Sequence, residues 1–429
     1  MLSVWTLWKL LKLLTQFQKC INKMKKNIWY ISKYVAPSYA AKVSARGFLI
    51  LSALAKKGYQ CTLFTSDSNH LISAPKFKGA VMQECVDGVD VHWLKTWKYK
   101  TARSIGRMIS WLDFEWQLFK MSKKDLPKPD VIIVSSLSLL TILNGLLLKR
   151  KYNCKLVFEV RDIWPMVLVS SGGISQKNPF VIFLSWLEKL AYRKADSVVG
   201  TMPNLTEHIY NVTGKNIKAH CIPQGLDEGL LSEQMPLSND YMNEYIPKNK
   251  FIVCHAGSIG ADNALETFFS CARIMKEQKD IHFLIVGDGY LKDKYQKENS
   301  DLKNVTFAPR VEKKQVQSVL KLVDIVYFSV NSSPIWSYGQ SLNKVIDYML
   351  SGKPILASYT GYPSMINEAN CGTFVPAENV VLLKEEIERL SAMSSEVRNK
   401  MGHRGYEWLL ANRQFHHLAE SYKNIIEEL

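Results

Sequence analysis

Apolar runs of strand length alternate with helix-length segments twice over, and this pattern constrains the fold more than any other feature of the chain. In the first pass "NIWYIS" (27–32), "QCTLFTSD" (60–67), "DVIIVSSLS" (130–138), "CKLVFEVRDIW" (154–164), "ADSVVGTM" (195–202) and "IKAHCIPQG" (217–225) have strand length. Helical segments separate them, among them "KVSARGFLILSALAKKGY" (42–59) and "FVIFLSWLEKLAYRKA" (180–195). The pattern restarts at "KFIVCHAGSIG" (250–260) and continues through "IHFLIVGDG" (281–289), "NVTFAPRV" (304–311), "VQSVLKLVDIVYFSV" (316–330) and "GTFVPAEN" (372–379). Continuous apolar strands with crossover helices predict parallel sheets covered on both faces. A chain of 429 residues is also long for one core. The expected fold is therefore α/β, two facing doubly wound parallel-sheet units joined near 225–250. The expected division is 24–230 and 231–429, with the last helix returning to the first unit. Ligands of such sheets bind beyond the carboxyl ends of the strands, which places the expected site in the cleft between the two units.

The stretch "WSYGQSLNKVIDYMLSGKPILAS" (336–358) sets a sharper problem. Leu342, Val345, Ile346 and Met349 fall at the spacing of one apolar helix face. Ser341 is placed to cap that helix, and "SGKP" to stop it. Lys344 then occupies the first turn, where the positive end of the helix dipole disfavours a cation. Either an anion binds there, held by free N–H groups and the lysine, or the lysine is solvated and paired with Asp347.

Other motifs bear on that choice. Gly257 and Ser258 open a strand-to-helix loop in "GSIG", and Gly287 and Asp288 lie in "VGDG", a second glycine loop at a strand end. Glycines of this kind let backbone approach a diphosphate, or simply make a tight turn. Arg310 follows a strand in "PRVEKK", at the same expected end of the sheet. In the first unit Glu159, Arg161 and Asp162 end an apolar strand, where three charged residues make either a site or a solvated loop. Lys42 and Arg46, one helical turn apart, are expected to open the first helix and attract a negatively charged acceptor.

The net charge is +16, and its distribution is uneven. Residues 251–429 hold 20 Lys and Arg against 21 Asp and Glu, so the remaining 35 and 18 leave residues 1–250 at +17. Such asymmetry points to a polyanionic partner. No helix-turn-helix, zinc-finger or RNP-like motif favours nucleic acid, which leaves an anionic membrane surface, a phosphorylated acceptor or a basic surface kept only for solubility. The eight cysteines form no CxxC pair and several sit in strand-like runs, as expected of a protein in a reducing cytosol. The nine histidines show no metal-ligand spacing. Residues 1–23 form an extension whose polar positions, every third residue, walk around a helix instead of forming one face. Its apolar runs are too short to span a bilayer, and "MKKNIWYIS" at Met24 looks like a natural chain start, so residues 1–23 are expected to be either a translation-start artefact or a membrane-touching helix.

Together "RDIWP" (161–165), "IPQGLD" (222–227), "GSIG", "VGDG" and the S-x-N-K-x-x-D-Y-M-x-x-G-K-P run from Ser341 resemble the retaining GT-B glycosyltransferases of bacterial surface-polysaccharide assembly. The quoted runs are nearly collinear with that family from Met24 to the end of the chain. The closest likeness is to the subgroup that adds an amino-deoxy sugar, such as N-acetyl-fucosamine, to a lipid-linked O-antigen or capsule precursor.

The resemblance implies that the second unit binds a nucleotide-sugar and the first a lipid-diphosphate-linked glycan, at the inner face of the cytoplasmic membrane. Lys344, Gly257, Ser258 and Arg310 would meet the donor diphosphate, and Asp347 the ribose. Asp347 matches the second acid of the family's Glu-x7-Glu pattern, but Gly339 stands where the first acid belongs. Gln340, Ser341 or Asn343 would take over contact with the sugar. Glu159 or Asp162 would orient the acceptor hydroxyl and Arg161 its phosphate. No metal or other cofactor is implied, because cationic side chains can stabilise the leaving diphosphate. Two other readings share these features: a nucleotide-sugar epimerase of the same architecture, and a non-catalytic partner subunit whose donor site has decayed.

Overall fold

The computed structural model describes residues 26–42, 44–99, 104–170 and 172–429, so the expectation for residues 1–23 lies outside it. The first sheet uses β1 (Asn27–Ile31), β2 (Gln60–Ser66), β3 (Val81–Val86), β4 (Val89–Leu94), β5 (Val131–Ser135), β6 (Lys155–Val160), β7 (Ser197–Gly200) and β8 (Ala219–Cys221). Their order is β3-β4-β2-β1-β5-β6-β7-β8. β1 pairs in parallel with β2 and β5, β2 with β4, and β5 with β6. β1 and β5 are almost wholly buried, which is why they read as unbroken apolar runs.

One element of this sheet departs from the alternating pattern. β3 and β4 form an antiparallel hairpin, although residues 81–94 are not among the expected strands. Asp87 and Gly88 at its turn both have positive φ, 48° and 78°. That is the backbone of a two-residue hairpin turn that Asp-Gly favours, so "VDGVD" carried the signal.

Four helices of the first unit matter below: α1 (Arg46–Lys56), α2 (Ile105–Lys120), α3 (Thr141–Tyr152) and α4 (Pro179–Lys194). α1 begins at Arg46, later than expected. Lys42 lies before it, where its N–H donates to the Leu71 carbonyl (2.9 Å) beside a bridge from Ala41 to Ile72. The expectation that Lys42 and Arg46 share the opening turn of one helix is therefore corrected: a strand-like contact holds Lys42 out of the helix.

The second sheet has the order β11-β10-β9-β12-β13-β14, built from β9 (Phe251–Ala256), β10 (Ile281–Val286), β11 (Val305–Ala308), β12 (Ile325–Ser329), β13 (Ile355–Ser358) and β14 (Gly372–Val375). Every pairing in it is parallel. Helices α5 (Glu266–Ile274) and α6 (Asn343–Leu350) follow β9 and β12. Val345 and Met349 of α6 enter one apolar cluster with Cys254, Leu284 and Phe328, while Phe268 and Phe269 of α5 enter a second with Val253, Phe283 and Tyr327. Alternate residues of β9 and β10 thus feed opposite layers, the arrangement of a doubly wound sheet.

The chain divides into two compact units, residues 1–164, 182–199 and 419–429 in one and 165–181 with 200–418 in the other. No helix among the described residues is long and apolar enough to cross a membrane.

Candidate active site

In the second unit β9 runs into Gly257-Ser258-Ile259-Gly260 and β10 into Gly287-Asp288-Gly289, and the two loops lie on each other. The Gly257 N–H donates to the Val286 carbonyl (3.0 Å) and the Ile259 N–H to that of Asp288 (2.9 Å). A Cβ on Gly287 would lie 1.9 Å from the Gly257 oxygen, and one on Gly289 2.1 Å from the Ile259 oxygen. Those two glycines are thus required by packing of loop against loop, whatever else they do. Gly257 differs. A Cβ there would meet the His255 ring at 3.5 Å and the Lys344 side chain at 3.8 Å, both ordinary contacts. Nothing in the protein demands glycine at 257, and its bare backbone faces the lysine.

Helix α6 sets that lysine in place. Lys344 is in the first turn, as the spacing predicts, but Ser341 is not the cap: Leu342 is the N-cap residue and no side chain caps the helix. Ser341 Oγ instead accepts the N–H of Gln224 (3.0 Å), tying "SLNK" to "IPQG". One turn beyond Lys344, the Tyr348 hydroxyl accepts the Ala256 N–H (3.0 Å) and lies 3.1 Å from the carbonyls of Ala256 and Tyr327. This fixes α6 against the residue that precedes Gly257.

Lys344 Nζ donates to Asn263 Oδ1. The Asn263 amide in turn donates to the Ser258 carbonyl (2.8 Å) and hydroxyl (2.9 Å). Burial lowers the lysine to about 8, with Asp262 acting the other way. His255 lies close by, and burial together with Lys344 depresses its imidazole to about 3, so it is neutral. Asp347 does not pair with Lys344. Both of its oxygens accept from Lys313 at 2.6 Å. Burial raises the Asp347 carboxyl and Lys313 opposes that rise. Lys344 is therefore not paired with Asp347, and the start of α6, the bare Gly257 backbone and a lysine bonded to a neutral amide lie together, groups of the kind that can accept an anion.

The residues around it fall into place by geometry. Gly339 has φ +100°, and a Cβ on it would lie 2.4 Å from Pro203 Cδ. A glutamate there would be strained and would press on Pro203, so the missing acid is not a simple substitution away. Gln340 beside it is buried; its Oε1 accepts the Leu342 N–H (3.0 Å) while its Nε2 has no partner among the described residues. Asn343 is exposed at the first helical position, and Asp288 is exposed at the tip of its loop. Arg310 is exposed two residues past β11 and makes no ion pair among the described residues.

The first unit corrects two expected roles. Glu159 and Arg46 have no exposure, and Arg46 donates to Glu159 Oε1 at 2.7 Å. Tyr422 donates to the same oxygen (2.6 Å) and Tyr30 to the other. Burial alone would raise this carboxyl, but the charges of Arg46 and Arg161, with the Tyr30 and Tyr422 hydroxyls, hold it at about 2. Glu159 and Arg46 therefore satisfy each other inside the unit and present nothing to an acceptor. Asp162 is exposed at the end of β6. The turn is pinned through Ser136, whose Oγ accepts the Arg161 N–H (3.0 Å).

A cationic cluster at the carboxyl ends of β1 and β2 was not anticipated. Lys33 is buried and bonds Ser66 Oγ (3.0 Å) and the Ser68 carbonyl, and burial lowers it to about 7. The Tyr34 hydroxyl accepts from Arg107 (3.0 Å) and Trp111 (2.7 Å), and His70 bonds Tyr99 (2.9 Å). Burial, with Arg107 and Lys33 nearby, depresses His70. The available signal was "SKY", a lysine two residues beyond the first strand. Among the described residues no three His, Cys, Asp or Glu gather as a metal site.

Family models match over most of this architecture. Residues 49–225 match a glycosyl transferase 4-like domain and residues 250–393 the glycosyl transferases group 1 domain. The chain carries a glycosyl transferase 4-like domain followed by a glycosyl transferases group 1 domain. A sucrose-phosphate synthase from Thermosynechococcus elongatus is similar to this glycosyltransferase over 94% of the chain and 99% of its own, at TM-score 0.68 and 16% identity. Anabaena HepE, in complex with UDP-glucose, is similar over 94% of this chain and 100% of its own, at 0.61 and 13%. WaaG, a glycosyltransferase involved in lipopolysaccharide biosynthesis, is similar over 93% and 99%, at 0.62 and 14%. These likenesses establish the GT-B fold. A search of curated protein sequences finds no significant match.

Proposed function

We propose that this glycosyltransferase moves a sugar, an acetamidodeoxyhexose or related hexose, from a nucleoside-diphosphate sugar to a lipid-diphosphate-linked precursor of a surface polysaccharide, with retention and without a metal. The observation that carries the reading is Lys344: a half-buried lysine at an uncapped helix start, beside the bare backbone of Gly257, its hydrogen bond given to the neutral Asn263. The donor diphosphate binds there, with Ser258, Gly287 and the Asp288 loop beneath and Arg310 reaching in from β11.

Departure of the nucleoside diphosphate develops negative charge on the oxygen that leaves the anomeric carbon. Lys344, Arg310 and the N–H groups of α6 stabilise that charge as it forms. Asp347 releases Lys313, which is exposed, to take the ribose hydroxyls. Gln340, whose Nε2 has no partner among the described residues, together with Ser341 and Asn343, contacts the sugar in place of the acid missing at Gly339. The acceptor oxygen attacks the anomeric carbon from the face the diphosphate leaves and its proton passes to the departing phosphate oxygen, so no protein nucleophile is needed. Arg161 and Asp162 meet the acceptor on the first unit, and the Lys33–Arg107 cluster supports its phosphate. The positive first half of the chain favours a position at an anionic membrane in the cytoplasm.

The test is transfer of labelled sugar from a set of nucleotide-sugars into a lipid extract, with the anomeric configuration of the product read by NMR. Label in the lipid fraction supports the reading. Epimerised nucleotide-sugar formed without acceptor would replace it with an isomerase, and nucleotide binding without turnover would leave a partner subunit.

A further inference from the structure

We infer that the outward surface of α2, α3 and α4 is a docking face for an anionic lipid bilayer. The inference deepens the lipid-linked acceptor reading above and rests on it for its purpose, though not for its evidence. Eleven of the 23 exposed large apolar side chains among the described residues fall on these three helices. On α2 they are Ile105, Met108, Ile109, Leu112, Trp116 and Phe119, a stripe at helical spacing that is turned away from the buried Trp111, Phe114 and Leu118.

The three helices are continuous with one another. α2 and α3 connect parallel strands in the same direction across the sheet, so right-handed crossovers place them on one face. Thr141 and Asn144 of α3 bond the Glu115 carboxylate of α2 at 2.6 and 2.7 Å, and an apolar groove between the helices is lined by Leu112, Trp116, Phe119, Leu143 and Leu147. Lys149 at the end of α3 donates to the Lys194 carbonyl at the end of α4 (3.1 Å). α4 adds exposed Ile182, Phe183 and Trp186.

Charge selects the occupant. The last turns of the three helices carry Lys120, then Arg150 and Lys151, then Arg193 and Lys194, while Lys149 is paired with Asp196 (2.7 Å). No carboxylate on these helices is exposed: Asp113 and Glu115 are half-buried and Glu188 is buried. Two stacked aromatic pairs, Trp116 with Phe119 and Phe183 with Trp186, stand at the surface, and Lys120 lies over the Trp116 ring. Amphipathic aromatics above a basic rim suit the headgroup boundary of an anionic leaflet. A second copy docked on this face through a two-fold axis would bring the same basic rims together.

The experiment is co-sedimentation of the full chain with vesicles of phosphatidylcholine alone or with one third phosphatidylglycerol, beside the Leu112→Ser/Trp116→Ser/Phe119→Ser and the Lys120→Glu/Arg150→Glu/Arg193→Glu variants. The expected result is binding to the anionic vesicles, weakened at least tenfold in either variant and by raised salt. Nucleotide-induced thermal stabilisation stays as in the parent, since the changes lie in the first unit. Unchanged vesicle binding in both variants would overturn the inference and move the contact elsewhere, to residues 1–25 for example. So would loss of a self-association in the serine variant with no vesicle binding in the parent. If nucleotide binding is absent throughout while vesicle binding behaves as expected, the transferase reading fails and the docking face stands.

Discussion

Replacing Glu159 with Gln separates a structural carboxylate from a catalytic one. In the parent the carboxylate has no exposure and accepts from Arg46, Tyr422 and Tyr30. The amide keeps one oxygen for three donors and turns an N–H2 toward them, so the buried guanidinium loses its counter-charge. Breaking a buried pair on one side costs about 3–5 kcal/mol, and at about 2–4 °C per kcal/mol for a unit of this size the first unit should melt roughly 6–20 °C lower. Removing both charges, as Arg46→Met with Glu159→Leu, should recover much of that loss. Acid gives an independent check. The folded carboxyl is held at about 2, below its ordinary value, so its stabilisation is complete above the unfolded value near 4.5 and is lost as pH falls toward 2. The gap in melting temperature between parent and Glu159→Gln should therefore narrow on acidification through that window. Thermal unfolding followed by circular dichroism at pH 7 and at pH 3.5 measures both. A variant that melts with the parent but has lost sugar transfer would refute the reasoning and return Glu159 to the chemistry.

Gly257→Ala should leave the melting temperature within about 1 °C, because its Cβ meets only ordinary contacts, yet weaken nucleoside-diphosphate binding about tenfold or more in calorimetry. Gly339→Glu should not restore a missing acid: with φ +100° and Pro203 in the way, it should destabilise the second unit by about 1–3 kcal/mol or more in urea and give no gain in turnover. Donor affinity should be flat below pH 8 and fall as pH rises beyond it, since burial brings Lys344 to about 8 and the bound diphosphate favours its charged form. Titration of affinity from pH 6.5 to 9.5 would show this, and a profile unchanged across that range would exclude the lysine from the contact.

The sheets and the place of Lys344 in the first turn of its helix were legible in the sequence: buried parallel strands write unbroken apolar runs, and a cation in a first helical turn violates an electrostatic preference that a reader can see. The β3–β4 hairpin was missed because its alternating outer strand, β3, carries a weaker signal than the buried runs around it, although Asp87-Gly88 marks the turn. The Glu159–Arg46 pair was misread for a deeper reason. Strand-end charges look alike whether they face solvent or each other, and only the packing of Tyr30 and Tyr422, residues 392 positions apart in the chain, shows that these are enclosed. Lys33 and Asn263 went unnoticed because each acts through partners brought by other strands and loops. The excess charge of the first half was visible as a total, but the apolar face it borders emerges only when three helices align.

The most direct test of the donor site is thermal stabilisation by UDP, GDP, ADP, CMP and dTDP, measured on the parent and on Lys344→Ala. At about 100 times its dissociation constant a nucleotide should add about 2.7 kcal/mol. The account predicts that one nucleoside diphosphate raises the melting temperature of the parent and that Lys344→Ala loses the gain while melting normally without ligand. No shift with any nucleotide, or the same shift in the variant, would contradict it.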